Sequence, residues 1–377
     1  MTIPRFYPAI IALTIISFCV TVRAQEVWQD VARIVAVGDL HGDYEQYLNV
    51  LRSNHLIDSK LKWQGGAAHL VQLGDVPDRG PDSLKIMRHL KRLQKQAKKA
   101  GGRVHALIGN HELMNIKEDL RYVHPGEFEI LVNNESRRTQ LDYIDRVYNF
   151  LLSQDETISE RREEVMQSLD TRFPPGFVEH RLTWAPRGEV FEWLRRNNTV
   201  VKINRMLFVH GGISPHEELL PLKQINKKIR KIISSGPEYI EDPIIRDEGP
   251  LWYRGYTRND AVIELQPLKE MLAFYDVDTI VVAHTPTVGA IMPKFDGRVI
   301  FIDVGLAAHY GNRLANLVVE NNAVFAMHRG HKIALPKTDD GLLDYLLTVS
   351  KLDPEPSPLL ETITKLESQE NRNVGTD

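Results

Sequence analysis

The sequence predicts an α/β protein in which two sheets pack face to face with helices outside. Three observations lead there. In the first third, short apolar runs alternate with amphipathic helical stretches, the rhythm of parallel strands joined by crossovers. In the second half, apolar runs pair around the turn dipeptides Asn204-Arg205, Asp296-Gly297 and Asn321-Asn322, the pattern of hairpins. Finally, several of these runs stop at residues that ligate hard cations, so the tips of separate strands are expected to meet.

The chain has 377 residues and 42% hydrophobic content, enough for one large domain or two modest ones. A formal net charge of -3 gives no general pull toward nucleic acid or anionic membrane. At the amino terminus, Arg5 precedes an apolar run from about Ile10 to Val22, and Val22-Arg23-Ala24 resembles a small-residue cleavage site. Residues 1–24 therefore read as a signal peptide, too short for a comfortable span. Export to a periplasm or secretory route is expected, with no stable membrane insertion after cleavage. Cys19, the single cysteine, falls inside that segment, so no disulfide is available to the mature chain. Asn134-Glu135-Ser136 and Asn197-Asn198-Thr199 fit the glycosylation acceptor pattern.

Arg33 to Val37 is the first expected strand, delivering Asp39 and His41 at its end. Asp43 then caps a helix whose Tyr44, Tyr47, Leu48 and Leu51 share one face. After the Gly65-Gly66 break, Leu70 to Leu73 runs into the turn Gly74-Asp75-Val76-Pro77-Asp78-Arg79-Gly80. Pro81-Asp82 opens a helix that turns Leu84, Met87, Leu90, Leu93 and Ala97 inward and closes at Gly101-Gly102. Its outer face carries Arg88, Lys91, Arg92, Lys95, Lys98 and Lys99, read as a solvated helix face. Val104 to Ile108 leads to Gly109-Asn110-His111-Glu112, and the crossover brings Asp75 and Asn110 to one edge of a parallel sheet.

From about 118 to 196 the chain is charge-rich and helical, interrupted at Phe173-Pro174-Pro175-Gly176, and reads as a flap beside the site. Strands resume at Val200 to Ile203 and Met206 to Val209, the second ending in His210-Gly211-Gly212. A helix over Leu222 to Ile233 precedes a loop holding Trp252-Tyr253-Arg254-Gly255-Tyr256. Thr279 to Ala283 is a strand ending in His284, and hairpins span Ile291 to Asp303 and Leu314 to His328. The main domain is expected over 25–335. A polar tail should occupy 336–377, helical near Leu342 to Leu347 and disordered from Ser368.

The expected metal ligands are Asp39, His41, Asp75, Asn110, His210 and His284. All are oxygen or imidazole donors, which suits manganese foremost, with iron or zinc as alternatives. In this reading Asp75 bridges two divalent ions about 3.5–4 Å apart, with Asp39 and His41 on the first and Asn110, His210 and His284 on the second. Two divalent ions and two aspartates leave enough positive charge to meet a phosphate monoester dianion. A hydroxide between the ions is the expected nucleophile, since a bound cation lowers the pKa of water to ~7. His111 is the candidate general acid, with Asp78 holding its tautomer. Arg79 offers a planar fork to phosphate oxygens, and Arg254 a second clamp. His124, His180, His309 and His328 are read as structural or surface residues.

Gly38-Asp39-Leu40-His41-Gly42, Gly74-Asp75-Val76-Pro77-Asp78-Arg79-Gly80, Gly109-Asn110-His111-Glu112, His210-Gly211-Gly212 and the His284 segment together resemble the ordered signature of the phosphoprotein phosphatase family. The likeness runs over about Arg33 to Gly311. Val76-Pro77 and Leu113-Met114-Asn115 are similar to the Shewanella-like protein phosphatase branch. The resemblance implies a four-layer α/β/β/α metallophosphatase sandwich, a two-metal centre and the residue roles above. It also implies a phosphomonoesterase acting on phosphoproteins, with phosphotyrosine preference known among similar members. Asp303-Val304-Gly305-Leu306 stands where the eukaryotic serine/threonine enzymes carry Ser-Ala-Pro-Asn-Tyr. Two other readings remain open: a nucleotide or dinucleoside polyphosphate hydrolase, and a metal-binding module without catalysis.

Overall fold

The computed structural model describes residues 25–238 and 240–374. The expected signal peptide, residues 1–24, lies outside them. Among the described residues there are twelve strands: β1 (Val27–Trp28), β2 (Arg33–Val37), β3 (His69–Gln72), β4 (Arg103–Ala106), β5 (Val200–Ile203), β6 (Met206–Val209), β7 (Thr279–Val282), β8 (Met292–Lys294), β9 (Val299–Phe301), β10 (Ala315–Glu320), β11 (Ala323–His328) and β12 (His331–Ala334). They make two six-stranded mixed sheets, ordered β12-β11-β10-β2-β3-β4 and β1-β5-β6-β7-β9-β8. Within the first, β2, β3 and β4 are parallel, with Val35 beside Leu70 and Leu70 beside Val104. Within the second, β6, β7 and β9 are parallel.

Strands β3, β5 and β6 are buried along their whole length, as expected of sheets covered on both faces. One contiguous apolar core draws on both sheets and their helices. Helices Tyr44–Ser53 and Ser83–Lys99 make the crossovers between the parallel strands of the first sheet, and the expected apolar stripes face inward on both. Asp43 Oδ1 accepts from the Gln46 amide at 3.0 Å, closing the N-terminus of the first. The basic face of the second is partly covered. Glu189, which begins helix Glu189–Leu194, lies 2.9 Å from Arg88 and 3.8 Å from Lys91.

The helical insertion divides in two. Helices Ser136–Gln154 and Arg162–Arg172 enclose a small core of their own around Ile144, Tyr148 and Leu169. The remainder packs against the main body and reaches the site, as described below. The hairpins formed at the expected turns.

The carboxyl-terminal stretch corrects the expectation of disorder from Ser368. Helix Leu342–Ser350 is followed by helix Leu360–Val374, so the chain is helical well past that point. Leu359, Ile363 and Leu366 are spaced as one helical face and pack on the core, together with Tyr345, Leu346 and Val349. That stripe is thin, with charged and hydroxyl residues between its members, and so reads as polar. No helix among the described residues is long and apolar enough to cross a membrane.

Candidate active site

The parallel strands of both sheets end at one place. β2 hands on to Asp39 and His41, β3 to Asp75, β4 to Asn110, β6 to His210 and β7 to His284. None of these six side chains is more than 5% exposed. The two sheets are pinned together here: the His284 amide donates to Asp39 Oδ1 at 3.2 Å, and His210 Nδ1 donates to the Leu73 carbonyl at 2.9 Å.

That last bond places the proton of a neutral His210 ring on Nδ1, so that its Nε2 lone pair is the one offered to a cation. Nε2 nevertheless faces other electron-rich atoms: Asn110 Oδ1 at 2.9 Å, His284 Nδ1 at 3.1 Å and Asp75 Oδ2 at 3.2 Å. In the same way His41 Nδ1 donates to Pro77 O at 3.1 Å, and its Nε2 lies 3.7 Å from Asp39 Oδ2. Lone pairs gathered at such distances in a buried space call for a cation, and the donor set fits a divalent one. Donor atoms of Asp75, His210 and His284 lie within 4.8 Å of one another, as do those of His41, Asp75 and His111. The electrostatics point the same way. Burial opposes charge on His210, yet Asp75 and Asp39 outweigh it and push its pKa up to about 9. Burial and the neighbouring Asp75 raise Asp39 to about 7 in spite of His210. The pocket thus has an excess of negative charge that protons must otherwise fill.

His111 borders the ligands, its Nε2 3.8 Å from Asp75 Oδ2, but is held by a carboxylate of its own. Its Nδ1 lies 2.5 Å from Asp78 Oδ2. Burial lowers its pKa, but Asp75 and Asp78 outweigh that and push it up to about 9, which suits a proton donor better than a ligand. Asp78 is fully buried and its position is overdetermined. Asn115 Nδ2 donates to its Oδ1 at 2.9 Å, and its amide donates to Glu127 Oε1 at 3.0 Å. Arg79 stacks on Tyr122, 3.9 Å from the ring centroid, and its amide donates to the Tyr122 carbonyl. Arg254 comes from the loop before the short helix Gly255–Arg258, and its Nη1 donates to the His284 carbonyl and Thr285 Oγ1 at 3.0 and 2.9 Å. All the expected site residues are therefore brought to one place.

Local backbone shows what this arrangement costs. His41, Asp75, Asp78, Arg79 and His284 all have positive φ, between 43° and 73°. Left-handed backbone costs a non-glycine residue roughly 1–3 kcal/mol. Glu112 restrains two of the turns, accepting from the amides of Asp75, Val76 and Gly109 at 2.9, 2.9 and 2.8 Å.

Several supporting residues were not foreseen. Asp303 is buried at the end of β9, a sixth strand tip, and its Oδ1 accepts from the Gly305 amide at 3.0 Å. Its signal was the one that found the others, a carboxylate after an apolar run, but the run also completed a hairpin. Glu112 sits in the first turn of helix Asn110–Ile116, a helix not expected from the sequence. Glu127 and Tyr122 belong to the insertion, expected as a flap beside the site with no catalytic motif of its own. Aromatic rings edge the cluster: Tyr310 lies 5.2 Å from His41, Tyr122 5.2 Å from His111 and Trp252 5.7 Å from His284, between ring centroids.

The profile of the calcineurin-like phosphoesterase family matches residues 32–288, which include every one of these ligands. An uncharacterized protein of Schizosaccharomyces pombe is 32% identical, over 80% of this chain and 82% of its own. The Shewanella-like protein phosphatase 2 of Arabidopsis thaliana is 29% identical, over 73% and 71%. Among solved structures, the cold-active protein-tyrosine phosphatase of a psychrophilic Shewanella species superposes with a TM-score of 0.64 at 28% identity, covering 83% of each chain. With its two mixed sheets, flanking helices and clustered ligands, the chain belongs to the calcineurin-like phosphoesterase family, alongside the Shewanella-like protein phosphatases.

Proposed function

We propose that this protein is a metal-dependent phosphomonoesterase of phosphoproteins that favours phosphotyrosine. One observation carries the reading: oxygen and imidazole donors from both sheets converge on His210 Nε2, and beside them stands an oriented His111–Asp78 pair. Asp39, His41, Asp75, Asn110, His210 and His284 would hold two divalent ions, manganese foremost. Such ions supply charge neutralisation of the phosphate and an acidified water. The chain's own residues do the rest. Arg79, stacked on Tyr122, and Arg254, tethered to the His284 carbonyl, grip the non-bridging phosphate oxygens. His111 delivers a proton to the departing ester oxygen, while Asp78 keeps Nδ1 protonated and the ring aimed.

The preference for phosphotyrosine is supported by the rings of Tyr122, Tyr310 and Trp252 beside the ligands, against which an aryl ester can pack. It is also supported by likeness to the Shewanella protein-tyrosine phosphatase. The run behind Arg5 supports export to a periplasm or secretory route after cleavage near Ala24. The test is turnover of matched phosphotyrosine and phosphoserine peptides and of a dinucleoside tetraphosphate, by chelated enzyme refilled with manganese, iron or zinc. Phosphotyrosine peptide should be cleaved fastest. Cleavage of the dinucleotide alone would contradict the proposal.

A further inference from the structure

Next to the loop that carries His210 lies an open groove of about 970 Å³. Its floor is apolar, made by Ile213, Leu220, Ile225, Ile244 and Tyr275, all but Leu220 buried. Its walls are acidic. Glu217, Glu218, Asp247 and Glu248 line it, are exposed, and have no ion-pair partner among the described residues. The two cations of the lining are already neutralised: Lys228 Nζ lies 3.0 Å from Asp242 Oδ2, and Arg246 is paired with Glu241. Lys223, Lys227 and Lys231, on the same helix as Lys228, lie outside the lining.

The groove and the site share their backbone. Ile213 and Ser214 follow directly on His210-Gly211-Gly212. On the other wall, the Pro250 carbonyl accepts from the Gly211 amide at 2.9 Å, and the chain then runs on to Arg254. A ligand in the groove is thus held by the same two loops that place a metal ligand and a phosphate clamp.

We infer that the groove docks a basic segment of the phosphoprotein substrate, with an apolar side chain on the floor and Lys or Arg against the walls. The inference rests on the protein phosphatase reading above. Charge complementarity selects this occupant: four unpaired carboxylates around an apolar trough reject an acidic peptide or an anionic lipid surface and attract a cationic chain. Exposed charges of this kind act on encounter and on KM more than on the chemical step. The preferred substrate is therefore bipolar, a phosphorylated residue beside a basic, partly apolar stretch.

The test compares two peptides with the same phosphorylated residue, one with a Leu flanked by Lys and Arg and one with those bases replaced by Gln. Wild-type enzyme should favour the basic peptide by roughly tenfold in kcat/KM, through KM, with the gap closing as salt rises. The variant Glu217→Gln/Glu218→Gln/Asp247→Asn/Glu248→Gln should abolish the gap and leave turnover of phenyl phosphate unchanged. An equal gap in the variant, or none in the wild type, overturns the inference. A dye-labelled basic peptide without phosphate gives a readout free of catalysis: its anisotropy should rise with wild type and not with the variant. If that holds while no phosphopeptide is cleaved, the groove stands and the phosphatase reading falls. If phosphopeptides are cleaved but the anisotropy ignores the four substitutions, the groove falls alone. Sedimentation adds one more outcome: a dimer dissolved by the substitutions, with peptide binding unaffected, would make a second copy the occupant and overturn the inference.

Discussion

Both oxygens of Asp78 and its amide are engaged, with His111, Asn115 and Glu127 respectively. A carboxylate held this firmly can fix the His111 ring, and under the proposed function it keeps Nδ1 protonated and the ring pointed at the leaving group. Asp75 also raises His111, but as one of the residues that would hold metal it would share its charge with the ions, leaving Asp78 as the dedicated partner. His111→Asn should therefore lower kcat on an alkyl phosphate by roughly 10²–10⁴-fold, since that is the usual worth of a general acid. Asp78→Asn should follow the same trend. On an aryl phosphate with an acidic phenol the loss should be much smaller, because the departing phenoxide needs less help. Steady-state kinetics on the two esters, with metal content measured alongside, checks this. Equal losses on both would remove His111 from the proton-transfer role.

At the scale of elements, the ligands were legible because each closely follows a largely apolar run: Val35-Ala36-Val37 before Asp39, Leu70-Val71-Gln72-Leu73 before Asp75, Phe208-Val209 before His210. What was not legible lacked a local signature. Glu127 meets Asp78 from 49 positions away, and nothing near it in the chain announces that contact. Helix Ala261–Phe274 also went unforeseen, because Pro267 interrupts it and Val262 and Ile263 are exposed apolar residues that blur its periodicity. Strands β3 and β4 hold a second, structural histidine pair, with His69 Nδ1 and His105 Nε2 3.1 Å apart beneath the edge of Trp28. Burial pushes His69 down to about 4 and His105 down to about 3. Both are neutral in the folded chain and take up protons near 6.5 once unfolded. Their contribution is complete above pH 6.5 and is lost as the pH falls below it toward those lower values. Thermal melts of wild type and His69→Gln/His105→Gln should therefore diverge in slope between pH 6.5 and 5, with the variant the flatter. Parallel curves would mean that the pair is not held neutral.

For the whole molecule, the two sheets, their crossover helices and the carboxyl-terminal helices share one core, which gives the cluster of candidate ligands a rigid seat. Leu346, fully buried on helix Leu342–Ser350, ties that terminus in. Leu346→Ala should cost about 2–5 kcal/mol in a denaturant titration, as truncations of buried leucines do. A change below about 0.5 kcal/mol, the range of surface substitutions, would show the terminus to be dispensable. The central claim is that strand tips from both sheets jointly hold the ions on which hydrolysis depends. It is tested most directly by metal analysis of purified enzyme and of Asp75→Asn, paired with turnover of a phosphotyrosine peptide. About two divalent ions should accompany each active wild-type chain, with both ions and turnover lost in Asp75→Asn. Full turnover by a chain stripped of metal in strong chelator, or by Asp75→Asn, would contradict it.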